Sequence, residues 1–253
     1  MRLKLTVQPT VEPVSLEEAK LHLRVDSGDD NALITSLIKT ARELTEQETA
    51  RAFITQTWEM YLDQAPAVIE IPKPPLQSIV SIKTISAIET VVDENVDKDQ
   101  PVLKVASTTG FVIGNTVLID RDGEREETRT ILTVQDGVSL TFTTNLTYIH
   151  MAAEADKVEK GELVESSRYN VDASMNSYGR VKLRSGRSWP SHRGFASFIV
   201  EFTVGYGDAA TDVPAALKQA ILQLIAHLYE NRESIEIPAG VKVLLWAFKI
   251  MRI

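Results

Sequence analysis

The sequence contains no cysteine, which excludes disulfides and thiolate metal sites and makes a reducing, cytosolic place of folding the simplest expectation. No apolar run approaches the roughly 20 residues that a membrane span requires. Met1 to Val11 alternates apolar with polar residues and lacks the charged-then-apolar start of a signal peptide, so neither a membrane-spanning nor a secreted protein is expected. Positive charge is in deficit, with 27 Lys and Arg against 35 Asp and Glu, a net charge of -8. A protein that grips duplex nucleic acid ordinarily needs a basic face to neutralise phosphates. An acidic surface lets DNA pass close by without adhering.

What is present suffices for a real core: 43% of the 253 residues are hydrophobic, enough for one large domain or two small ones. Ser15-Leu16-Glu17-Glu18 is a capping box, and Leu16, Ala19 and Leu23 fall on one face of a helix over about 15–24. After the polar break Asp26 to Asp30, Leu33, Ile34, Leu37, Ile38, Ala41 and Leu44 repeat with helical period, predicting a longer helix over 30–50 capped by Asp29 or Asp30. Asp212-Val213-Pro214 opens a third helix, to about 232, with Leu217, Ala220, Ile221, Leu224, Ile225 and Leu228 on one face.

Between these helices the pattern is β. Strands are expected around 57–62, 68–71, 79–85, 169–172, 180–183 and 198–204. The polar stretch 93–100 reads as a linker. Beyond it, short strands near 102–105, 116–119, 127–134 and 139–143 are punctuated by Gly110, Gly114, Asp122-Gly123 and Asp136-Gly137, which predicts a small β-barrel or sandwich inserted over about 90–167. The fold class is therefore α+β: a core of helices and strands over 1–88 and 168–253, interrupted by an all-β insert.

No constellation of side chains points to catalysis, a metal or a cofactor. The histidines at 22, 150, 192 and 227 lack the spacing of a metal pair and read as surface or boundary residues. No G-x-S-x-G elbow presents a serine. Gly205-Tyr206-Gly207 fails as a dinucleotide fingerprint and reads as a strand-ending turn. The carboxylates Glu124, Glu126 and Glu127, like Asp93, Glu94, Asp97 and Asp99, read as solvated turns rather than cation ligands. Arg180, Lys182, Arg184, Arg187 and Arg193, with Trp189 and His192 among them, form the most phosphate-friendly stretch; an exposed hairpin or a subunit contact is the competing reading.

Residues 241–253 are mostly apolar and carry no side-chain carboxylate. Val243, Leu244, Leu245, Trp246, Phe248, Ile250 and Met251 either complete the chain's own core or dock into another protein, and docking is the favoured expectation.

Several ordered segments resemble the head-tail connector (adaptor) proteins of tailed bacteriophages. They are Val14-Ser15-Leu16-Glu17-Glu18-Ala19-Lys20-Leu21-His22-Leu23-Arg24-Val25-Asp26 with Asp30-Asn31-Ala32-Leu33-Ile34, Arg51 to Glu59, Leu76-Gln77-Ser78-Ile79, Tyr169-Asn170-Val171-Asp172, Phe202 to Asp208, Val213 to Ile221 and His227 to Glu233. The resemblance covers about 1–88 and 168–240. It implies a small helical bundle of connector type, in a closed ring of about twelve identical subunits on the portal protein. Such a ring extends the DNA conduit through the virion neck, without sequence-specific DNA binding, and offers a platform to a stopper or tail protein; in related adaptors the C-terminal segment enters the portal. The same resemblance implies assembly in the bacterial host cytoplasm, a part in DNA ejection, no cofactor and no enzymatic activity. The insert departs from many relatives, which connect the same points by a shorter segment. Two other readings stay open: a carbohydrate- or receptor-binding tail module using the insert, with Trp189 or Tyr148 as a stacking surface, and a metal-dependent hydrolase using the acidic turns.

Overall fold

The computed structural model describes residues 1–250 apart from 122, 175, 176, 232, 234 and 235. Among them are twelve strands, β1 (Arg2–Val7), β2 (Gln56–Leu62), β3 (Val68–Ile71), β4 (Leu76–Val91), β5 (Val102–Lys104), β6 (Thr116–Ile119), β7 (Glu127–Gln135), β8 (Ser139–Phe142), β9 (Lys157–Leu163), β10 (Tyr169–Asp172), β11 (Gly179–Leu183) and β12 (Phe198–Val204). The α-helices are α1 (Leu16–Leu23), α2 (Asn31–Thr49), α3 (Ala215–Glu230) and α4 (Ala239–Trp246). The molecule is thus mixed α and β, with a large antiparallel sheet ordered β1-β2-β12-β4-β9-β6-β7-β8-β5 and a smaller one ordered β10-β11-β3.

The helices pack around one apolar core. Ser15 Oγ accepts from Glu18 N at 3.1 Å and Glu18 Oε2 accepts from Ser15 N at 2.8 Å, which completes the expected capping box. Glu18 Oε1 also accepts from Lys218 Nζ at 2.9 Å, so the cap ties α1 to α3. Its carboxyl is held below the ordinary glutamate value, first by the Ser15 backbone N–H and then by Lys218. Ile34, Ile38 and Ala41 of α2 meet Leu217, Ala220, Ile221, Leu224 and Ile225 of α3, all buried as their 3.6-residue spacing requires. The cap of α2 differs from expectation: Asp30 sits at the N-cap without a side-chain cap bond. Its Oδ2 instead accepts from the Tyr229 hydroxyl at 2.5 Å, joining the start of α2 to the end of α3.

The sheet carries a second core built from Met60, Ile82, Phe198, Val200, Phe202 and Val204 with the small sheet's Ile69, Ile71 and Val181. Gly205 joins the two cores. At φ +128° it allows a backbone approach in which any Cβ would lie 2.6 Å from the Ile54 carbonyl carbon. Tyr206 N then donates to Phe53 O at 2.9 Å and Thr55 N to Gly207 O at 3.0 Å.

β4 is one continuous strand of 16 residues: its first half pairs with β12, and its second half pairs with β9. From there the order β4-β9-β6-β7-β8-β5 closes on itself, because Val92 bridges Val105, Ala106 N donates to Val91 O at 3.0 Å and Asp93 N donates to Lys104 O at 3.0 Å. Closure leaves no free edge, and the interior is filled by Leu103, Phe111, Val117, Ile119, Ile131, Leu140, Phe142 and Val158. The stretch 93–100, which its polarity suggests as a linker, is woven into this barrel through Val96 to His150 and through Asp99 and Gln100 to Leu146. Backbone pairing overrides composition there.

Two strands carry little signal in the sequence. β9 (KVEKGEL) buries Val158, Glu159 and Gly161. Leu118 lies across Gly161, with Cδ1 2.9 Å from where a Cβ would stand, so a side chain there would displace the end of Leu118. β1 is the alternating start of the chain, used as an edge strand.

Candidate functional site

The apolar C-terminal stretch forms α4, which Pro238 caps, and the structure divides its side chains between two roles. Val241 and Leu245, four apart, are buried against α2 and α3, while Leu244 and Phe248 pack partly on the same core. Ile250 N donates to Thr49 O at 3.1 Å, and Lys249 Nζ reaches Glu48 Oε1 at 2.7 Å. The stretch is therefore seated on its own chain rather than displayed whole. Its outward face offers Val243 at 73% and Trp246 at 65% exposure. Met251 lies outside the described residues.

The basic group does not converge on one point. Arg180 is paired across the β10–β11 ribbon with Asp172 Oδ2 at 2.5 Å. Lys182 projects from the same exposed face of β11. Arg184 bonds to Tyr169 O at 3.3 Å, and Arg187 is exposed in the following turn. Arg193 is used internally, donating to Glu89 at 2.8 Å and to buried Glu159. Arg121 meets the same Glu159 at 2.5 Å and also donates to Ala196 O at 2.9 Å. These bonds hold the loop 190–196, with Phe195 exposed, against the junction of sheet and barrel. Trp189 is half-buried and meets Phe198 in a T-shaped contact, ring centroids 5.0 Å apart; Tyr148 is 41% exposed.

The acidic residues also divide. Glu126 pairs with Lys4 at 3.0 Å. Glu127, expected in a solvated turn, begins β7 and is buried in the barrel, where its Oε1 lies 2.6 Å from His150 Nε2. His150 itself is fully buried, contrary to the surface reading of the four histidines; strand pairing of Val96 with residue 150 draws it inside. His22 is exposed, and His192 and His227 are half-buried. Among the described residues no group of three or more His, Asp and Glu is arranged to hold a metal ion.

A second buried ionic network lies where α2 meets the sheet, and no sequence motif announces it. Arg42 donates through Nε to Glu12 at 2.8 Å and through Nη1 to Glu46 at 2.9 Å. The other Glu46 oxygen accepts from Phe53 N at 2.7 Å and from Gln56 Nε2 at 2.9 Å. Burial pushes the Glu46 carboxyl above its ordinary value against the pull of Arg42, and burial likewise lowers Lys73, which stands 4.6 Å over the Trp58 ring. A cleft of about 490 Å³ opens here between Leu3, Leu5, Trp58 and Lys73. Both Glu46 oxygens hold hydrogen bonds, so the arrangement braces helix against sheet. Among the described residues no helix is long and apolar enough to cross a membrane.

Residues 13–100 match the model of a family described as phage gp6-like head-tail connector protein. No protein of curated function matches the sequence. The whole fold is similar to three solved chains, each 16% identical: one in the neck of an empty gene transfer agent (GTA) particle computed with C6 symmetry (TM-score 0.63, 100% of this chain and 97% of that one), one in the virion of the native particle (0.59, 100% and 97%), and one in the native neck computed with C12 symmetry (0.57, 99% and 97%). The family match falls on the segment that holds the capping box of α1, the apolar face of α2 and the strands they rest on, so residues 13–100 are similar to the phage gp6-like head-tail connector proteins.

Proposed function

We propose that this chain is a structural subunit of a virion neck, an adaptor that docks on the portal as a ring, extends the DNA conduit and gives a stopper or tail protein its platform. The observation that carries this is a coincidence of two independent likenesses: a connector family match over 13–100, and a fold shared end to end with neck chains whose particles were treated with sixfold and twelvefold symmetry. A closed ring needs two different complementary faces on each subunit. The acidic net charge suits a conduit wall that DNA slides past.

In this reading the portal-facing anchor is the outer face of α4. Val243 and Trp246 make the contact, while Leu244, Leu245, Phe248 and Ile250 fix the helix that presents them. Arg180, Lys182, Arg184 and Arg187 serve a neighbouring subunit or a passing phosphate. Removing the gene from the producing genome tests the role. The expected result is DNA-filled heads and free tails that fail to join and are rescued by the chain supplied in trans; joined particles lacking the chain would refute it.

A further inference from the structure

His150 has no exposed surface, and each of its ring nitrogens faces a carboxylate oxygen: Nε2 lies 2.6 Å from Glu127 Oε1 and Nδ1 lies 3.0 Å from Asp156 Oδ2. A neutral imidazole has one N–H and one lone pair, so it would aim that lone pair at a carboxylate. Only a ring protonated at both nitrogens donates to both. Arg129 of β7 pairs with Glu127, and Arg125 from the turn before β7 pairs with Asp156 at 3.1 Å and with Glu154. Asp120 lies 3.8 Å from Arg125. The segment 93–100 contributes backbone bonds to residue 150 through Val96. Asp156 and Glu127 are themselves buried.

We infer that His150, donating from both ring nitrogens, is a latch that fastens the segment 143–156, through Glu127 of β7, onto the barrel. The same carboxylates also hold the segment's backbone: Thr147 N donates to Glu127 Oε2 at 2.9 Å and Met151 N to Asp156 Oδ2 at 3.3 Å. Between these two anchors Tyr148 and Ile149 are turned outward, 41% and 44% exposed. The latch therefore sets the shape of an apolar pair on the barrel surface. Without the ring between the two carboxylates, the pair loses its fixed presentation. This inference concerns the barrel alone and stands whether or not the chain is a neck subunit.

Ring-nitrogen NMR of the ¹⁵N-histidine-labelled protein reads the protons directly. Two protonated nitrogens on His150 are expected in the folded protein; one bare nitrogen would overturn the inference. In His150→Gln, which reaches only one carboxylate, hydrogen exchange of residues 146–151 should rise at least about tenfold with the barrel strands unaffected. Protection of 146–151 equal to that of the parent protein would overturn the latch.

Discussion

Replacing two adjacent residues of α4 by alanine separates folding from docking. Leu245 is buried between α2 and α3, so Leu245→Ala removes its packing and leaves a cavity, at a cost of about 2–5 kcal/mol. At roughly 2–4 °C per kcal/mol for a chain of this size, thermal unfolding should fall by roughly 4–20 °C. Trp246 is 65% exposed, and truncating it should change stability by no more than about 0.5 kcal/mol. Yet it offers a partner most of an indole. If the side chain presents about 250 Å², burying the exposed 65% at about 25 cal/mol per Å² gives a gross gain of roughly 4 kcal/mol per subunit. Thermal or urea unfolding reads the first effect, and co-sedimentation with the portal protein reads the second. Trp246→Ala should fold normally and sediment alone. A Trp246→Ala protein that unfolds as readily as Leu245→Ala, or one that binds portal undiminished, would refute the division of α4 into an inner and an outer face.

Three further expectations follow from the packing. Arg42→Ala strands Glu46 and Glu12 and should cost about 3–5 kcal/mol in urea unfolding. Gly205→Ala, at φ +128° and against the Ile54 backbone, should destabilise by more than about 1 kcal/mol, while Gly240→Ala, in α4 with open space around it, should stabilise by about 0.5–1 kcal/mol. The carboxyl of Glu18 is held low in the folded chain, so its contribution is complete above the ordinary glutamate value and is lost as pH falls through the folded one; amide exchange in α1 should rise with acid, and Glu18→Gln should abolish that dependence. Glu46, pushed up by burial, acts with the opposite sign: its contribution is full below the ordinary glutamate value and is lost as pH rises through the folded one.

The parts legible in the sequence are those that local chemistry decides. Ser15 and Glu18 specify the start of α1 within four residues, and the apolar periods of α2 and α3 need only their own neighbours. The remainder depends on distant partners. The strand β9 hides its identity because two of its buried residues, on the face away from the barrel interior, are a glycine and a glutamate; Leu118 covers one and two arginines meet the other. Glu127 and His150 lie 23 residues apart and are joined only by the closing of the barrel. α4 was half readable: its apolar content was evident, but the choice between core and surface rested on which of its faces α2 and α3 would cover. Pro238, which can as readily open a helix as end one, marked its start.

The neck assignment meets its most direct test in electron microscopy of the purified chain mixed with the portal protein of the same particle. A ring of this chain stacked coaxially on the portal, absent with Trp246→Ala, is the predicted image. Isolated protomers beside bare portals, at concentrations where both proteins are folded, would contradict it.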